Sequence, residues 1–281
     1  VATPNDVHCE LAVAALEAGK HVISEKPVAM NLAELDRMID TAKRSNRLFT
    51  VHQNRRWDKD FRVVKEVIAS GKLGHIYSIQ SRLHGSGGVM HGWRGLLKHG
   101  GGMLFDWGVH FIDQAMTLCG YDDFVSVKCK TACVKTEEVE DYFNLIFDRK
   151  DGSFFQIEIG TFVLKELPRW MLLGDQATAY VNDFKRDGAI VTLDSTVEDK
   201  PVIIMTAAGP TRTFAPRPKN VKLEEELPDP DAEWTEYYAN VRDAVEGKAE
   251  LIVQPWQVRK VLAAIMAAFE SAKTGKQVDL A

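Results

Sequence analysis

The first fifty residues alternate between helical patterns and short apolar stretches, and this alternation limits the chain to a small set of folds. Asn5 or Asp6 can cap a first helix, and Asn31 can cap a second. A short apolar stretch suited to a buried strand follows each helix, at 21–24 and at 48–53. Because strands joined through helices lie parallel in one sheet, the opening of the chain predicts an α/β fold with a parallel sheet.

From about residue 124 the pattern changes to a series of strands. Lys150-Asp151-Gly152 supplies an Asp-Gly hairpin turn between two of them, and helical patterns over 234–245 and 255–273 close the chain. We therefore predict a second, α+β domain on a large, mostly antiparallel open sheet. The two domains would comprise residues 1–50 and 51–281, with the last helix packing back on the first domain.

The predicted large sheet carries bulky side chains on both faces. In the strand 154–162, Phe154 and Gln156 alternate with Phe155 and Ile157. The closing helices are too few to cover both faces, and an uncovered apolar face needs a partner. The sequence therefore predicts a homo-oligomer that assembles through the open face of the sheet.

Charge and composition exclude several classes of function. The chain has 281 residues and a net charge of −5, and no basic run interleaved with aromatic residues marks a nucleic-acid site. No apolar stretch approaches the length of about 18 residues that a membrane span needs, and we expect neither a membrane span nor a signal peptide. The four cysteines form no Cys-x-x-Cys motif and no zinc-type spacing with histidine. We expect reduced thiols, no metal, and a cytoplasmic protein without nucleic-acid or membrane partners.

A glycine-rich entry, Gly100-Gly101-Gly102, leads into a helix that is apolar on nearly every side. Its polar residues recur at spacings that place them within roughly 60° of one another around the helix axis. These residues are Asp106, His110, Asp113 and Thr117. Because such a helix is buried, the polar stripe faces either a functional cleft or a satisfied hydrogen-bond network inside the core.

Lys26 lies at the end of the predicted strand 21–24, between Glu25 and Pro27. Ligands of open α/β sheets bind outside the carboxyl ends of the strands, although a lone Glu-Lys pair is also common as a surface ion pair. Together, Lys26, Asp106 and His110 would form an acid/base set of one amine, one carboxylate and one imidazole.

Four segments of the chain resemble the glucose-fructose oxidoreductase/inositol dehydrogenase/MocA (Gfo/Idh/MocA) family of NAD(P)-dependent oxidoreductases, and the resemblance covers nearly the whole chain. The segments are ATPN at 2–5, ALEAGKHVISEKP at 15–27, GGGMLFDWGVHFIDQ at 100–114 and AFESAKTGKQV at 268–278. A further segment, QNRRWDKDF at 53–61, is most similar to members that include scyllo-inositol dehydrogenases.

The resemblance implies a partial Rossmann NAD(P)-binding domain at 1–50, a family-type C-terminal domain at 51–281, and assembly as a homo-dimer or homo-tetramer. It implies that Lys26 binds the reacting hydroxyl, that His110 is the general base, and that Asp106 orients His110 and the substrate, a sugar or cyclic polyol. The positions that it assigns to the cofactor are Thr3, Pro4, Asn5, His8, Glu25, Lys26, Arg55, Trp93 and Arg94. The positions that it assigns to the substrate are Lys26, Trp57, Trp93, Asp106, His110 and Asn144.

The chain departs from the family in one respect. Family members open with a strand, a Gly-x-Gly-x-x-Gly turn and a helix that bind the cofactor pyrophosphate, and this sequence has no such motif. The acidic residue that reads the ribose is also absent, so the sequence does not distinguish NAD from NADP. We therefore expect the 281-residue chain to bind either cofactor weakly and to be inactive in oxidation.

Two classes of function remain open on the sequence. The first is a hydride-transferring dehydrogenase that acts on a CH–OH group of a sugar or polyol such as an inositol. The second is a non-catalytic chain that oligomerises or binds a polyol without redox activity.

Overall fold

A computed structural model of the protein describes residues 1–87, 91–197, 203–212 and 221–280. Its first part contains two helices, α1 (His8–Glu17) and α2 (Leu32–Arg44), and two strands, β1 (Val22–Ser24) and β2 (Phe49–Val51). The strands pair in parallel, with Ile23 opposite Thr50. The Asn31 side chain accepts a hydrogen bond from the Glu34 backbone N–H at 3.0 Å and so caps α2. The predicted α/β opening with parallel strands is confirmed.

Helices α3 (Lys59–Ala69) and α4 (Val109–Cys119) flank strand β3 (Ile76–His84) along the chain. A π-helical turn, Leu104–Gly108, runs directly into α4. Single 3₁₀ turns lie at Asn5–Val7, Asn54–Trp57, Gly92–Gly95 and Leu97–His99. Helices α5 (Thr235–Val245) and α6 (Pro255–Thr274) come near the end of the chain.

The remaining strands follow α4 along the chain. Their bounds are β4 Phe124–Ala132, β5 Tyr142–Arg149, β6 Phe154–Gly160, β7 Trp170–Gly174, β8 Thr178–Val181, β9 Gly188–Leu193, β10 Ile203–Thr206, β11 Gly209–Arg212, β12 Lys222–Glu226 and β13 Val278–Asp279. With β3 they build one large sheet in the order β12-β9-β8-β7-β3-β6-β5-β4-β13, and β10 pairs with β11 in a separate hairpin. β3 runs parallel to β6, whereas the other neighbouring pairs are antiparallel, so the sheet is mixed.

Helices cover one face of the large sheet. α4 packs on the central strand β6, α6 packs on β4 near one edge, and Asp60 of α3 accepts a hydrogen bond from the Trp170 indole of β7 at 2.7 Å. Strand alternation therefore divides the side chains of β5 and β6 between a buried face and an open one. The buried side chains are Phe143, Leu145, Phe147, Phe155, Ile157 and Ile159.

The open face is mixed in character, whereas the sequence predicted an apolar face. Its centre is a polar cluster in which Glu158 accepts a hydrogen bond from the Tyr142 hydroxyl at 2.8 Å and lies 3.4 Å from Arg82 Nε. The exposed apolar residue Ile146 lies on the same face, on β5 next to β6. Polar side chains on this face are favourable in water, which explains how β6 can alternate between apolar and polar residues.

The last long helix contacts the first part of the chain. α6 packs against α2 and β2, and the Arg259 guanidinium pairs with the Asp36 carboxylate of α2 at 2.7 Å. The Thr50 hydroxyl of β2 also donates to the Val253 carbonyl at 2.8 Å. The division of the chain near residue 50 stays a prediction. Within the residues that the structure describes, no helix is long and apolar enough to cross a membrane.

Candidate active site

Lys26 lies just beyond the carboxyl end of β1, and its ammonium group reaches the π-helical turn before α4. Its Nζ donates to the backbone carbonyl of Asp106 at 2.5 Å and to the Asp106 carboxylate Oδ1 at 2.9 Å. The peptide bond from Lys26 to Pro27 is cis. π-Helical turns inside helices are frequent at functional sites. The predicted pairing of a strand-end lysine with the polar stripe is therefore present in the structure.

The glycines before this turn permit a close approach that larger residues would block. Gly100 has a φ of +69°, and a Cβ on Gly101 would lie 2.3 Å from the backbone oxygen of Arg94. Arg94 is thereby held beside the site, where its Nε lies 3.4 Å from Asp106 Oδ1. The Asn5 side chain donates to the Gly100 carbonyl at 2.9 Å, and this hydrogen bond also holds the glycine segment in place.

A cavity of about 420 Å³, which we call the N-terminal cavity, opens beside Lys26. Its walls include seven of the nine residues predicted to bind the cofactor. The lining residues are Ala2, Thr3, Pro4, Asn5, Glu25, Lys26, Trp93 and Arg94. Two polar atoms of this wall, Thr3 Oγ1 and Asn5 Oδ1, are buried without a hydrogen-bond partner among the described residues. Buried polar atoms of this kind are unusual, and a bound ligand is one way in which they become satisfied.

His8 does not line this cavity, so the structure corrects the prediction that His8 contacts the cofactor. The ring is fully buried, with Nδ1 2.9 Å from the Pro27 carbonyl and Nε2 3.0 Å from the Thr3 carbonyl. Both ring nitrogens thus lie within hydrogen-bond distance of backbone carbonyl oxygens. His8 connects the segment that carries Thr3 to the turn that follows Lys26, and so positions the cavity wall.

His110 is buried one helical turn after Asp106. Its Nδ1 lies 3.2 Å from the side-chain oxygen Oε1 of Gln53, the residue that follows β2 by two positions. Burial, followed by the positive charges of Lys26 and Arg55, lowers the pKa of His110 well below its ordinary value of 6.5. The imidazole is therefore neutral near pH 7. Asp106, which was predicted to orient His110, is instead engaged by Lys26 and Arg94.

A second cavity, of about 410 Å³, has four aromatic residues among the eight that line it, and we call it the aromatic cavity. The Arg55 guanidinium stacks 4.2 Å from the centre of the Trp107 ring and donates to Asp58 at 2.9 Å. The Trp107 ring lies 6.2 Å from the His110 ring, so the cavity adjoins the buried imidazole. The lining residues are Arg55, Trp57, Asp58, Lys59, Trp107, Phe184, Ala232 and Trp234.

Arg55 and Trp57 therefore lie on a different cavity from the other predicted ligands. Trp57 is almost completely buried in the wall and meets the Tyr237 ring edge-on at 5.6 Å. Arg55 was predicted to contact the cofactor, and the structure instead brings it to the aromatic cavity. Trp57, which was predicted to contact the substrate, lines that same cavity.

The second half of the polar stripe belongs to a structural network. Asp113 accepts two hydrogen bonds from Arg56, at 2.8 and 2.6 Å, and both side chains are buried. Tyr121 bridges Arg56 to the Thr117 hydroxyl, with both distances 2.9 Å. This half of the helix face is thus the satisfied hydrogen-bond network that was one of the two alternatives for the stripe.

Asn144, predicted to bind substrate, is separated from the site, and this prediction is corrected. Its neighbours Phe143 and Leu145 are buried toward the helices, so Asn144 points to the open face of the sheet. There its side-chain oxygen accepts a hydrogen bond from Gln156 at 3.3 Å.

A carboxylate, an imidazole and a phenol form a chain beside Lys26. Glu25 Oε1 lies 2.8 Å from His52 Nδ1, and His52 Nε2 lies 3.2 Å from the Tyr238 hydroxyl. Burial opposes ionisation of Glu25, but the hydrogen bond and charge of His52 outweigh it and lower the pKa of Glu25. Glu25 is therefore an anion beside the ammonium group of Lys26.

Several residues of the site were missed by the sequence interpretation. Gln53 lies just beyond a parallel strand, so the strand-end rule that identified Lys26 could have found it. Trp107 lies within the predicted helix and was treated as core. Phe184 and Trp234 come from a loop and from the start of a helix, and no local pattern indicates that they meet Trp107.

Comparison with known proteins adds independent information. Residues 61–180 match the GFO/IDH/MocA C-terminal domain, and residues 1–53 match the oxidoreductase family with an NAD-binding Rossmann fold. The structure resembles the crystal structure of an NAD-binding protein from Listeria innocua, with a TM-score of 0.90 and 40% identity. That similarity covers 99% of this chain and 80% of the other.

Two relatives differ in how much of their length is matched. The scyllo-inositol 2-dehydrogenase (NADP(+)) IolW of Bacillus subtilis is 30% identical over 288 residues, which cover all of this chain and 78% of the relative. An uncharacterized oxidoreductase of Schizosaccharomyces pombe is 38% identical over 148 residues. The chain therefore spans only 40% of the length of that relative, and 52% of this chain is covered.

Proposed function

This chain belongs to the GFO/IDH/MocA oxidoreductase family, and from that premise we propose that it is a dehydrogenase that uses NAD or NADP. The reaction would transfer a hydride between the nicotinamide ring and a CH–OH or carbonyl carbon of a sugar or cyclic polyol, such as an inositol. The dehydrogenase activity of IolW, which its name assigns to scyllo-inositol, supports this substrate class.

The observation that carries the proposal is the contact between Lys26 and Asp106, 2.9 Å apart, with neutral His110 buried one helical turn away. An uncharged imidazole can accept a hydroxyl proton, and an ammonium held by a carboxylate can stabilise the oxygen as the proton leaves. The N-terminal cavity lies on one side of this group and the aromatic cavity adjoins the other.

The N-terminal cavity fits the nicotinamide end of the cofactor. Thr3 Oγ1 and Asn5 Oδ1 offer buried acceptors that have no partner among the described residues, as an amide or ribose hydroxyl group would need. Thr3, Asn5 and Glu25 would hold this part of the cofactor, and Trp93 and Arg94 would close over it. When bound, the nicotinamide supplies the hydride acceptor of the oxidation.

The residues of the chain then handle the proton. The Lys26 ammonium would donate a hydrogen bond to the reacting hydroxyl oxygen and stabilise its negative charge as the proton leaves. His110, uncharged near pH 7, would take that proton. Asp106 would hold the Lys26 ammonium in place through its carboxylate and its backbone carbonyl, the two contacts that it already makes.

The aromatic cavity supports a ring-shaped polyol as substrate. Trp107, Trp57 and Phe184 supply flat apolar surfaces, on which the C–H face of a sugar or inositol ring can pack. Arg55 and Asp58 on the same wall offer hydrogen-bonding groups for hydroxyls. A cavity of this kind combines apolar contact with a few polar groups that fix orientation.

Substitution of the two proton-handling residues tests the proposal. Lys26→Ala and His110→Ala should each lower kcat by about 10²–10⁴-fold, because a positioned acid or base typically contributes that much. Because the 281-residue chain lacks the Gly-x-Gly-x-x-Gly turn and is expected to be inactive by itself, the measurement is cofactor reduction by the enzyme with a complete nucleotide-binding domain, with NAD and with NADP, against a panel of cyclic polyols and sugars. Lys20→Ala, which removes an exposed lysine in the segment before β1, is the matched control and should retain full activity.

The proposal fails if both Lys26→Ala and His110→Ala keep more than about half of the parent activity. It also fails if the parent protein turns over none of the polyols with either cofactor while it binds the cofactor in a calorimetric titration.

The protein would act as a homo-dimer or homo-tetramer assembled through the open face of the large sheet. The exposed Ile146 on this face supports the assembly, because contact with a partner would remove its apolar side chain from water.

A further inference from the structure

The proposed base, His110, is held by a neutral amide rather than by a carboxylate. Gln53 is 1% exposed, and its Oε1 lies 3.2 Å from His110 Nδ1. Of the two carboxylates within a helical turn, Asp106 binds Lys26 and Arg94, and Asp113 pairs with Arg56. The contact therefore joins two buried side chains, one from the segment after β2 and one from α4.

The chemistry of this contact determines which ring nitrogen carries the proton. An amide oxygen only accepts hydrogen bonds, so the His110 Nδ1 opposite it must carry the hydrogen. A neutral imidazole has one hydrogen, and Nε2 is then left with a free lone pair. That lone pair is what a general base uses to accept a proton.

The surroundings also favour an uncharged ring. The charged groups that face His110 are Lys26 beyond β1, Arg55 in the turn after β2, and His52 directly after β2. All three are cationic when protonated and oppose a further positive charge. An amide partner adds no negative charge that would offset them, whereas a carboxylate in the same place would favour the imidazolium.

We propose that Gln53 is the positioning residue of His110, and that it fixes the ring as the Nδ1–H tautomer with its lone pair on Nε2. The proposal deepens the proposed function, because a fixed lone pair on Nε2 is useful only if His110 acts as the base. The buried Gln53 Nε2 has no hydrogen-bond partner within the described part of the chain, so the amide is held through its oxygen.

The tautomer can be measured without any turnover. In protein labelled with ¹⁵N-histidine, long-range ¹H–¹⁵N correlation distinguishes a protonated ring nitrogen from one with a lone pair, and His110→Asn identifies the signal. We expect protonated Nδ1 and unprotonated Nε2 in the parent protein at pH 7. Gln53→Met, of similar size but without an acceptor, should shift the ring to a mixture of tautomers or to Nε2–H.

Two further variants separate positioning from packing. Gln53→Glu keeps the acceptor and should keep the Nδ1–H tautomer. Gln114→Met is the matched control, because it removes a buried amide of α4 that bonds to the Arg55 carbonyl and to Arg169 rather than to His110. The control should leave the His110 signals unchanged. Protonated Nε2 in the parent, or an unchanged tautomer in Gln53→Met, would overturn the proposal.

Kinetics then connect the tautomer to the reaction. Gln53→Met should lower kcat by about tenfold or more with little change in KM, because only molecules with the lone pair on Nε2 are competent. Gln53→Glu should move the acidic limb of the pH profile to higher pH, since the added carboxylate favours the imidazolium. A tautomer shift in a protein that shows no turnover would contradict the proposed function while supporting this role of Gln53.

Discussion

At the scale of single residues, His110 combines burial with a surrounding of positive charge. Desolvation and the nearby Lys26 and Arg55 lower its pKa well below 6.5, so the ring stays neutral in mildly acidic solution. A lowered pKa means that protonation, and with it loss of the base, requires a lower pH than for an ordinary histidine.

We therefore predict a pH profile of kcat/KM for polyol oxidation whose acidic limb lies below about pH 6.5, the ordinary imidazole value. The value of kcat/KM should be nearly constant from neutral pH down to about pH 6.5 and should fall only at lower pH. The control is His75→Gln, which removes an exposed imidazole and should leave the limb in place. A limb centred at or above the ordinary value would contradict a lowered pKa for His110.

At the scale of elements, the buried pair of Arg56 and Asp113 joins the turn after β2 to α4. Arg56 also donates to the Ile252 carbonyl and to Gln257, at 3.0 and 2.9 Å, so the same guanidinium reaches the start of α6. Three segments therefore depend on one cation, and among the residues that the structure describes Asp113 is the carboxylate paired with it.

We expect Asp113→Ala to destabilise the protein by about 3–5 kcal/mol, because removing one partner of a buried ion pair leaves an unpaired charge in the interior. Asp122→Ala is the matched control: its pair with Lys260 is exposed, and such pairs contribute about 0–1 kcal/mol. Urea unfolding of both variants measures the difference. Equal losses in the two variants would show that the Arg56 pair is not buried as described.

At the scale of the whole molecule, the uncovered sheet face is the surface available for assembly. Ile146 lies on the interior strand β5 of that face, opposite Lys128 of β4 and Gln156 of β6. It is 38% exposed, although its strand is paired on both sides.

The substitution Ile146→Lys should weaken the assembly, because it places a charge in the apolar part of the contact. Light scattering at micromolar concentration should show a multiple of the 31.5 kDa chain for the parent and a lower mass for the variant. Ile252→Lys changes a similarly exposed isoleucine outside the sheet and should keep the parent mass. A monomeric parent, or identical masses for all three proteins, would refute assembly through this face.

Local sequence patterns determined a large part of this protein. The parallel opening strands, the cap at Asn31 and the Asp-Gly hairpin depend on residues close together in the chain, so the sequence predicts them directly. The sequence also predicts Lys26 as a site residue, because its position at the end of a strand can be read from neighbouring residues. The predicted acid/base partners Lys26 and Asp106 are in contact, since the fold brings a strand end to a helix start.

Only the tertiary structure decided how the polar residues are divided among their tasks. The spacing of Asp106, His110, Asp113 and Thr117 shows a shared helix face, but not that Arg56 neutralises its second half. His8 matches a cofactor motif in sequence, yet backbone carbonyls occupy its ring. Gln53 and Phe184 reach the site from distant segments. Partners in a hydrogen bond are set by distances between segments far apart in the chain, and helical or strand periodicity carries no information about those distances.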